Sequence, residues 1–425
     1  MIARAPYLFL LLILIPDLYL DRHYWRHRMT LGKRFVYWLP SIILVAYTIA
    51  LTYEKNFIPD NPYILYIYLL LLGLIAIPKA VFMVFSMMGL GVCRLFHTKK
   101  NFGNLIGLLC VPVIWYILLY GSFVGFNKLE VNRYTYTSPD LPKAFDGYQV
   151  VLFSDAHVGS YTARNQYVLQ RAIDSINALH PDMIVFTGDI QNTEPQEIYQ
   201  HMDILSSLKA KDGIYSVLGN HDYGDYICGN TARKVANCRE TMSLERQMGW
   251  TLLMNEHRVI DRQGSHIIIA GMENDGDGIR FPQKGDINLS LNGVSSTPPK
   301  LGDCVLMEQS SARGGLKRRS VSHPFILMLE HDPSSWHRKI IPDGRAQLTL
   351  SGHTHKMQFS LFGWCPMTVT GKEVTGWYKE GQQSLFVTAG LGGLIPFRFD
   401  ATGEIVVLTL RCAPPSSEVL AEDDI

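Results

Sequence analysis

Long apolar runs fill the first 126 residues of the chain, whereas the remainder alternates short apolar runs with polar segments. The long runs lie at 5–20, 35–53, 63–93 and 104–126. A helix needs about 20 apolar residues to cross a bilayer, and the second and fourth runs have this length. The first run is short and contains Pro16 and Asp17, and the third is interrupted by Pro78 and Lys79. The pattern predicts an all-α transmembrane region of about four helices over residues 1–126.

Basic residues are concentrated in two of the loops between these runs. The loops after the first and third runs carry Arg22, Arg26, Arg28, Lys33 and Arg34, and Arg94, Lys99 and Lys100. Because basic loops stay on the cytoplasmic side, the chain after residue 126 is predicted on the outer, periplasmic or extracellular, face. We therefore expect a multi-pass inner-membrane protein whose helices contact the lipid bilayer. An anchor is favoured over a transporter, since only Asp17 and Lys79 are available to line a polar pathway.

The remaining chain reads as a water-soluble α/β domain over residues 148–412. Strands are predicted at 148–154, 183–187, 214–218, 251–254, 256–261, 265–270, 324–329, 348–350, 367–370, 384–388 and 405–410. Helices are predicted at 164–180, 196–209 and 238–248. The polar segment 127–147 predicts a linker, and the polar, Gly- and Ser-rich segment 283–322 predicts a long insert. The acidic end of the chain, 413–425, predicts a disordered tail.

Charge and cysteine content exclude several classes of function. The chain has 39 basic and 38 acidic residues, a formal charge of +1. Nucleic-acid binding needs a basic excess and is not expected. Seven cysteines are present without a CxxC pair, which removes the main signal for zinc ribbons and thioredoxin-like proteins. Cys228 and Cys238 are close enough in sequence to close a small disulfide loop in an oxidising compartment.

Five of the predicted strands are followed by polar side chains that can bind metals. These residues are Asp155, His157, Asp189, Asn220, His331, His353 and His355. Ligands of layered α/β folds sit at the carboxyl ends of strands, so we expect these side chains to share one crevice. Their oxygen and nitrogen atoms suit manganese, iron, zinc, nickel or magnesium. Seven ligands are too many for one catalytic ion, but they suit two ions about 3.5–4 Å apart that share a carboxylate.

The ordered set of motifs resembles the calcineurin-like metallophosphoesterases, in particular a membrane-anchored bacterial group. The resemblance covers about residues 145–410 and rests on Ser154-Asp155-Ala156-His157, Gly188-Asp189, Gly219-Asn220-His221-Asp222, His331 and Gly352-His353-Thr354-His355. Leu141 to Gly147 also match the Leu-Pro-x-x-Phe-x-Gly opening of that group. The resemblance implies a four-layer α/β (α+β) sandwich, in which two mixed β-sheets pack together and helices flank them.

The resemblance also implies a division of the ligands between two ions, with manganese the first choice. One ion would be held by Asp155, His157, Asp189 and His355, and the other by Asp189, Asn220, His331 and His353. A hydroxide bridging the ions would attack phosphorus in line. His221 would protonate the leaving oxygen or stabilise the charged phosphorus centre; its alternative role is a hydrogen-bonded residue that orients Asn220. Asp222 would orient His221 or cap the turn, and no substrate-binding residue is identified.

Two positions depart from the pattern of the family. Related phosphatases often carry an aspartate three residues after the bridging one, which orients the catalytic histidine, and Asn192 occupies that position. Many members of the membrane-anchored group continue the last motif with Gly-Gly, and Lys356-Met357 stand in its place. We therefore do not expect a His–Asp pair of that kind, and we expect a different, more basic rim of the pocket.

The leading hypothesis is a membrane-anchored hydrolase of a phosphomonoester, phosphodiester or pyrophosphate, acting on a small-molecule or lipid substrate. A narrower alternative that the resemblance suggests is a UDP-2,3-diacylglucosamine pyrophosphatase of lipid A synthesis. That substrate is made in the cytoplasm, which opposes the predicted outer location of the domain. A different class is a non-catalytic metal-binding scaffold or sensor, but such proteins usually lack His221 or a ligand, and none is missing.

Overall fold

The computed structural model describes residues 5–54, 57, 59, 62–162, 164–227, 230–279, 281–294, 306–309, 316–319 and 324–413. The chain divides into two compact units. The first comprises Met1–Phe126 and Ile395–Phe399, and the second comprises Asn127–Leu394 and Asp400–Ile425.

The first unit is helical, as the apolar runs predict. Its long helices are α1 (Ala5–Leu20), α2 (Leu31–Tyr53), α3 (Pro62–Leu95) and α4 (Phe102–Phe123). In the described part of the chain, three segments are long and apolar enough to cross a membrane: Leu31–Tyr53, Tyr63–Leu95 and Phe102–Asn127. Helix α1 is shorter, at 16 residues. Helix α3 continues through Pro78, since transmembrane helices tolerate proline when nearby groups satisfy the freed backbone.

Asp17 and Lys79, the two charged residues within the apolar runs, form an ion pair. Lys79 Nζ lies 2.7 Å from Asp17 Oδ1, and the Asp17 side chain is fully buried. Tyr37 donates a hydrogen bond to the same carboxylate at 2.6 Å, and Lys79 donates to Ser41 at 2.9 Å. A paired charge in an apolar environment costs far less than an isolated one. The pairing gives both residues a structural role and leaves no free charge at these positions for an ion pathway.

Replacing Lys79 with alanine should destabilise the helical unit by about 3 kcal/mol, because it leaves the buried Asp17 carboxylate without its cation. The double change Asp17→Asn with Lys79→Met should recover most of this loss, since it removes both charges together. Chemical denaturation of the full chain in mixed micelles measures the difference. Lys99→Ala, which removes an exposed lysine, is the matched control. Equal stability of the Lys79→Ala protein and the wild type would contradict the structural role.

The second unit contains two six-stranded mixed sheets. In spatial order the first sheet is β1 (Leu129–Ser138), β14 (Gly403–Cys412), β2 (Gln149–Phe153), β3 (Met183–Phe186), β4 (Ile214–Ser216) and β5 (Thr251–Leu252). The second sheet is β12 (Gly376–Glu380), β13 (Gln383–Val387), β11 (Leu348–Ser351), β10 (Ile326–Leu329), β7 (Ser265–Gly271) and β6 (Glu256–Arg262). Strands β2, β3 and β4 run parallel to one another, as do β7, β10, β11 and β13. A separate pair joins β8 (Leu306–Gln309) and β9 (Leu316–Arg319).

The main core lies between the two sheets, and helices cover their outer faces. Alternate residues of both sheets enter this core, among them Val150 and Leu152 of β2 and Leu327 of β10. Trp336 and Ile340 pack on the outer face of the second sheet. On the side of the first sheet, α5 (Gln166–Ala178) buries its apolar stripe and α8 (Thr231–Gln247) packs near β5. The predicted four-layer sandwich is confirmed.

Several local predictions differ from the structure. The predicted linker 127–147 contains β1, a strand that pairs in parallel with β14. The predicted strand 367–370 is a 3₁₀ helix, Pro366–Thr370, which begins with a proline and ends before Gly371. The predicted helix 196–209 is two short helices, α6 (Gln196–Tyr199) and α7 (Met202–Leu205), and α8 starts earlier than predicted.

Parts of other predictions lie outside the described residues. The predicted insert 283–322 is described only in part; it contains α9 (Ile287–Ser290) and the β8–β9 pair. The predicted tail lies outside the described residues apart from its first residue, Ala413. Cys228, one of the two cysteines of the suggested disulfide, also lies outside them, and Cys238 carries a free thiol.

Candidate dinuclear metal centre

The seven predicted ligands meet where β2, β3 and β4 of one sheet and β10 and β11 of the other reach their carboxyl ends. Five of them have a positive φ, namely Asp155 (51°), His157 (43°), Asp189 (60°), His353 (73°) and His355 (50°). Left-handed backbone is costly for residues other than glycine and is characteristic of functional sites. The strand ends therefore turn sharply, and the turns bring the side chains together.

Two glycines in the motifs are required by close packing. A Cβ atom on Gly219 would collide with the Asp189 carboxylate, and one on Gly352 would collide with the side chains of Ser154 and Asp155. The glycines thus allow neighbouring strand ends to approach closely enough for their ligands to converge.

The first cluster contains Asp155, His157, Asp189 and His355. The Nε2 atoms of His157 and His355 are 3.2 Å apart. His355 Nε2 lies 3.4 Å from Asp155 Oδ1, and His157 Nε2 lies 3.6 Å from Asp189 Oδ2. One ligand atom from each residue lies within 4.8 Å of all the others, a spacing that one ion can bridge.

The second cluster contains Asp189, His331 and His353, with Asn220 beside them. His331 Nε2 lies 3.3 Å from Asp189 Oδ2 and 3.2 Å from His353 Nδ1. The Asn220 side-chain oxygen lies 2.8 Å from His353 Nδ1 and 3.1 Å from His331 Nε2. Asp189 belongs to both clusters, so its carboxylate is placed to bridge two ions.

The chemistry of these atoms fits divalent cations. Asp155, His157 and His331 are fully buried, and Asp189 is 1% exposed. Buried oxygen and nitrogen lone pairs that face one another at 3.2–3.6 Å repel unless a cation or protons lie between them. Imidazole and carboxylate ligands with no thiolate are the set that manganese, iron and zinc accept.

Burial and neighbouring charges set the protonation of the ligands. Burial lowers the pKa of His157 to about 3, so its ring stays neutral at pH 7, the form that binds metals. Burial raises the pKa of Asp155 to about 7. Burial alone would raise the pKa of Asp189, but the positive charge of His331 holds it well below its usual value. The carboxylate shared by the two clusters therefore stays ionised.

His221 lies beside the shared carboxylate without belonging to either cluster. Its backbone N–H donates to Asp189 Oδ1 at 2.8 Å. The side-chain Nδ1–H donates to the backbone carbonyl of Asn192 at 2.5 Å, since a carbonyl can only accept. The ring packs edge-on against His157 at 4.8 Å and stacks on Tyr226 at 4.1 Å. These contacts fix the ring and leave Nε2 as the nitrogen available for proton transfer.

The backbone carbonyl of Asn192 thus makes the hydrogen bond to the histidine that an aspartate makes in related phosphatases. The Asn192 side chain turns away from His221 and donates to Ser160 Oγ at 3.0 Å and to the Leu394 carbonyl at 3.1 Å. Glu197 accepts hydrogen bonds from the backbone N–H groups of Asn192 and Thr193. The Glu197 carboxylate therefore holds the carbonyl that orients His221.

Asp222 caps the turn and does not orient His221. Its carboxylate accepts from the backbone N–H groups of Gly219 and Asp189 at 2.8 Å and of Ile190 at 3.1 Å. Asp275 is buried and paired with Lys339 at 2.7 Å. The Asp222 carboxylate therefore supports the turns that carry Asp189 and Asn220.

Sequence reasoning missed two aromatic residues of the site. Tyr226 stacks on His221, and its hydroxyl accepts a hydrogen bond from the Asn220 amide at 2.9 Å. Phe281 packs edge-on against His353, with ring centroids 4.6 Å apart. Both come from loops without a motif, so no spacing in the sequence pointed to them.

The segment after His355 contains the second departure from the family pattern, Lys356-Met357 in place of Gly-Gly. Lys356 and Met357 have φ values of 49° and 55°, the conformation that glycine adopts without strain. Left-handed backbone costs roughly 1–2 kcal/mol per residue for other amino acids.

Lys356→Gly should therefore stabilise the protein by about 0.5–1 kcal/mol, the relief of strain exceeding the added flexibility of the unfolded chain. Thermal unfolding of the full chain measures the change. Lys372→Gly is the matched control, because Lys372 is also a lysine, is exposed, and does not have a positive φ. If Lys356→Gly destabilised the protein as much as Lys372→Gly does, the proposed backbone strain at position 356 would be contradicted.

The comparisons with known proteins agree with this geometry. A family model described as "Calcineurin-like phosphoesterase" matches residues 148–357. The YkuE protein of Bacillus subtilis, described as an uncharacterized metallophosphoesterase, is 31% identical over 69% of this chain and 89% of its own length. The chain belongs to the calcineurin-like metallophosphoesterase family. It is accordingly a metal-dependent phosphoester hydrolase, and the fold of this family implies two divalent ions.

The similarity to known phosphoesterases also covers the helical unit of this chain. Residues 2–126 match a second family model, described as "Probable Calcineurin-like phosphoesterase, transmembrane domain". The UDP-2,3-diacylglucosamine pyrophosphatase LpxG of Chlamydia muridarum is 26% identical over 73% of this chain and 96% of its own length. A Danio rerio transmembrane protein with a metallophosphoesterase domain is 27% identical over 64% of this chain and 55% of its own length. The chain is therefore a membrane protein.

Proposed function

We propose that this protein is a membrane-anchored phosphoesterase whose two ions share Asp189. The observation that carries the proposal is the membership of Asp189 in both clusters. In the proposed centre, Asp155, His157, Asp189 and His355 hold one ion, and Asp189, Asn220, His331 and His353 hold the other. Manganese is the proposed native metal, although the oxygen and nitrogen donors also suit iron, zinc, nickel and magnesium.

The residues of the chain prepare the site for attack on phosphorus. When bound, two divalent ions supply the Lewis acidity that activates water for in-line attack and neutralises charge on the phosphate. The buried ligands hold this charge in a low-dielectric environment, where it stabilises the transition state more strongly than it would in water. Asp189, which belongs to both clusters, would be a ligand of both ions.

His221 is the proposed acid that protonates the leaving oxygen. The Asn192 carbonyl holds one proton on Nδ1, so the imidazolium form of His221 carries its second proton on Nε2; it would give this proton to the leaving oxygen and become neutral. Stacking on Tyr226 restricts rotation of the ring. The imidazole is therefore oriented before substrate binds, which lowers the entropic part of the barrier.

A UDP-2,3-diacylglucosamine pyrophosphatase is the second candidate. It is favoured by the LpxG relatives of Chlamydia muridarum and Chlamydia trachomatis, each aligned over 96% of its length. The distribution of basic loop residues leads us to propose that the catalytic domain faces outward, which opposes a substrate made in the cytoplasm. A reporter fused after residue 425 distinguishes the two sides, and release of UMP from UDP-2,3-diacylglucosamine tests the activity directly.

The proposed chemistry is tested by hydrolysis of bis-p-nitrophenyl phosphate by the full chain in detergent. Chelation should abolish turnover, and added manganese should restore it, because the proposed attack of water on phosphorus requires divalent ions. The same assay with p-nitrophenyl phosphate shows whether diesters or monoesters are preferred. If two ions bind per chain without turnover of any phosphate ester, the protein is a metal-binding scaffold and the proposal fails.

A further inference from the structure

A cluster of exposed apolar side chains follows the last metal-ligand motif. Its tip is a tight turn, Leu361–Trp364, in which the backbone N–H of each end residue donates to the carbonyl of the other at 2.8 and 3.0 Å. We call these four residues the apolar turn. Phe362 at its tip is 96% exposed, Trp364 is 51% exposed and Leu361 is 41% exposed. Single exposed apolar residues are common in soluble proteins, but a concentrated group indicates a binding surface.

The apolar turn is held rigidly at its base. Asp400 accepts a hydrogen bond from the Gly363 N–H at 3.1 Å and from the Ser360 hydroxyl at 2.7 Å. Directly after the turn, Cys365 is buried with 1% exposure. The aromatic side chains are therefore presented by an ordered backbone, which reduces the entropy lost when they bind.

Two further exposed apolar residues lie close to the apolar turn in the sequence. Met357, two residues after His355, is 49% exposed, and Val369 is 76% exposed. Lys356 lies at the base of the turn, where its Nζ is 3.4 Å from the Asp400 carbonyl. Protein segments that lie at a membrane interface typically combine aromatic residues such as phenylalanine and tryptophan with a nearby lysine. Because this chain is a membrane protein, a bilayer is always within its reach.

We propose that the apolar turn inserts into the interfacial region of the lipid bilayer. The occupant is a lipid surface, with phospholipid acyl chains around Phe362 and headgroup phosphates near Lys356. Since the turn begins six residues after His355, a span of at most about 20 Å, insertion would keep the metal centre close to the surface of the bilayer. This consequence rests on the proposed phosphoesterase function, and it names lipid-linked phosphates as the substrate class.

Photo-crosslinking from the tip of the turn tests the insertion. The full chain carries p-benzoylphenylalanine in place of Phe362 and is placed in nanodiscs of phosphatidylcholine and phosphatidylglycerol. The control carries the same group in place of Val259, a 50% exposed apolar residue of the edge strand β6. We expect at least five times more lipid adduct, measured by mass spectrometry, from position 362 than from position 259.

Equal lipid yields at the two positions would overturn the proposal, as would adducts from position 362 that contain only polypeptide. The latter would indicate a protein surface, either within this chain or between copies. A Phe362→Ser, Trp364→Ser double variant should keep its turnover of soluble bis-p-nitrophenyl phosphate within twofold, because both side chains are exposed and neither is a candidate metal ligand. Lipid adducts from a chain that hydrolyses no phosphate ester would contradict the proposed function while supporting the insertion.

Discussion

Asp189→Ala should reduce metal-dependent hydrolysis of bis-p-nitrophenyl phosphate by roughly a thousandfold or more. The carboxylate belongs to both clusters, lying 3.6 Å from His157 Nε2 and 3.3 Å from His331 Nε2. Its removal takes a ligand from each proposed ion at once and leaves the imidazoles of the two clusters facing one another without the negative charge between them. Both metal affinity and turnover should therefore fall together.

Steady-state kinetics with metal analysis of the purified full chain measures both effects. Asp189→Asn should bind metal more strongly than Asp189→Ala, because the amide keeps one oxygen ligand but not the charge. Asp203→Ala, which removes an exposed carboxylate of α7, is the control and should behave like the wild type. An Asp189→Ala enzyme with two tightly bound ions and normal turnover would refute the role of the shared carboxylate.

His221→Ala should lower turnover by about 10²–10⁴-fold while both ions stay bound. The side chain belongs to neither cluster, and its Nδ1 bonds the Asn192 carbonyl rather than a ligand. A proton donor matters most when the leaving group is a poor one. The loss should therefore be larger for a phenyl phosphate ester than for a p-nitrophenyl ester, whose phenolate leaves without protonation.

Comparison of substrates with graded leaving groups separates this role from a structural one. His266→Ala removes an exposed histidine of β7 and serves as the control. If His221 only orients Asn220, its substitution should weaken metal binding and lower turnover by the same factor for every leaving group. That pattern would contradict the assignment of His221 as the acid.

The convergence of the candidate ligands could be predicted from the sequence because their positions follow from strand geometry. Each lies within a few residues of the end of an apolar strand, and the carboxyl ends of parallel strands share one edge of a sheet. The family resemblance implied the two-sheet sandwich, and the pattern of apolar and polar positions predicted the α/β class. The pattern failed at β1, an edge strand whose polar, half-exposed residues resemble a linker; the alternation of Tyr134 and Tyr136 with threonines was the available signal.

The surroundings of the ligands could not be predicted in the same way. The Asn192 carbonyl that orients His221 is a backbone group, and no side-chain pattern records it. Tyr226 and Phe281 approach the site from loops, whose paths depend on tertiary contacts rather than on periodicity. The replacement of Gly-Gly by Lys356-Met357 was visible in the sequence, but only the positive φ values show that the backbone keeps the conformation suited to glycine.

The pairing of two ions across Asp189 is tested most directly by electron paramagnetic resonance of the full chain reconstituted with manganese. Two Mn²⁺ ions that share a carboxylate at about 3.5–4 Å should be magnetically coupled, and metal analysis should give two ions per chain. We expect the coupled spectrum, and we expect Asp189→Ala to lose it. A spectrum of isolated Mn²⁺ at one ion per chain in the active wild-type enzyme would contradict the dinuclear centre.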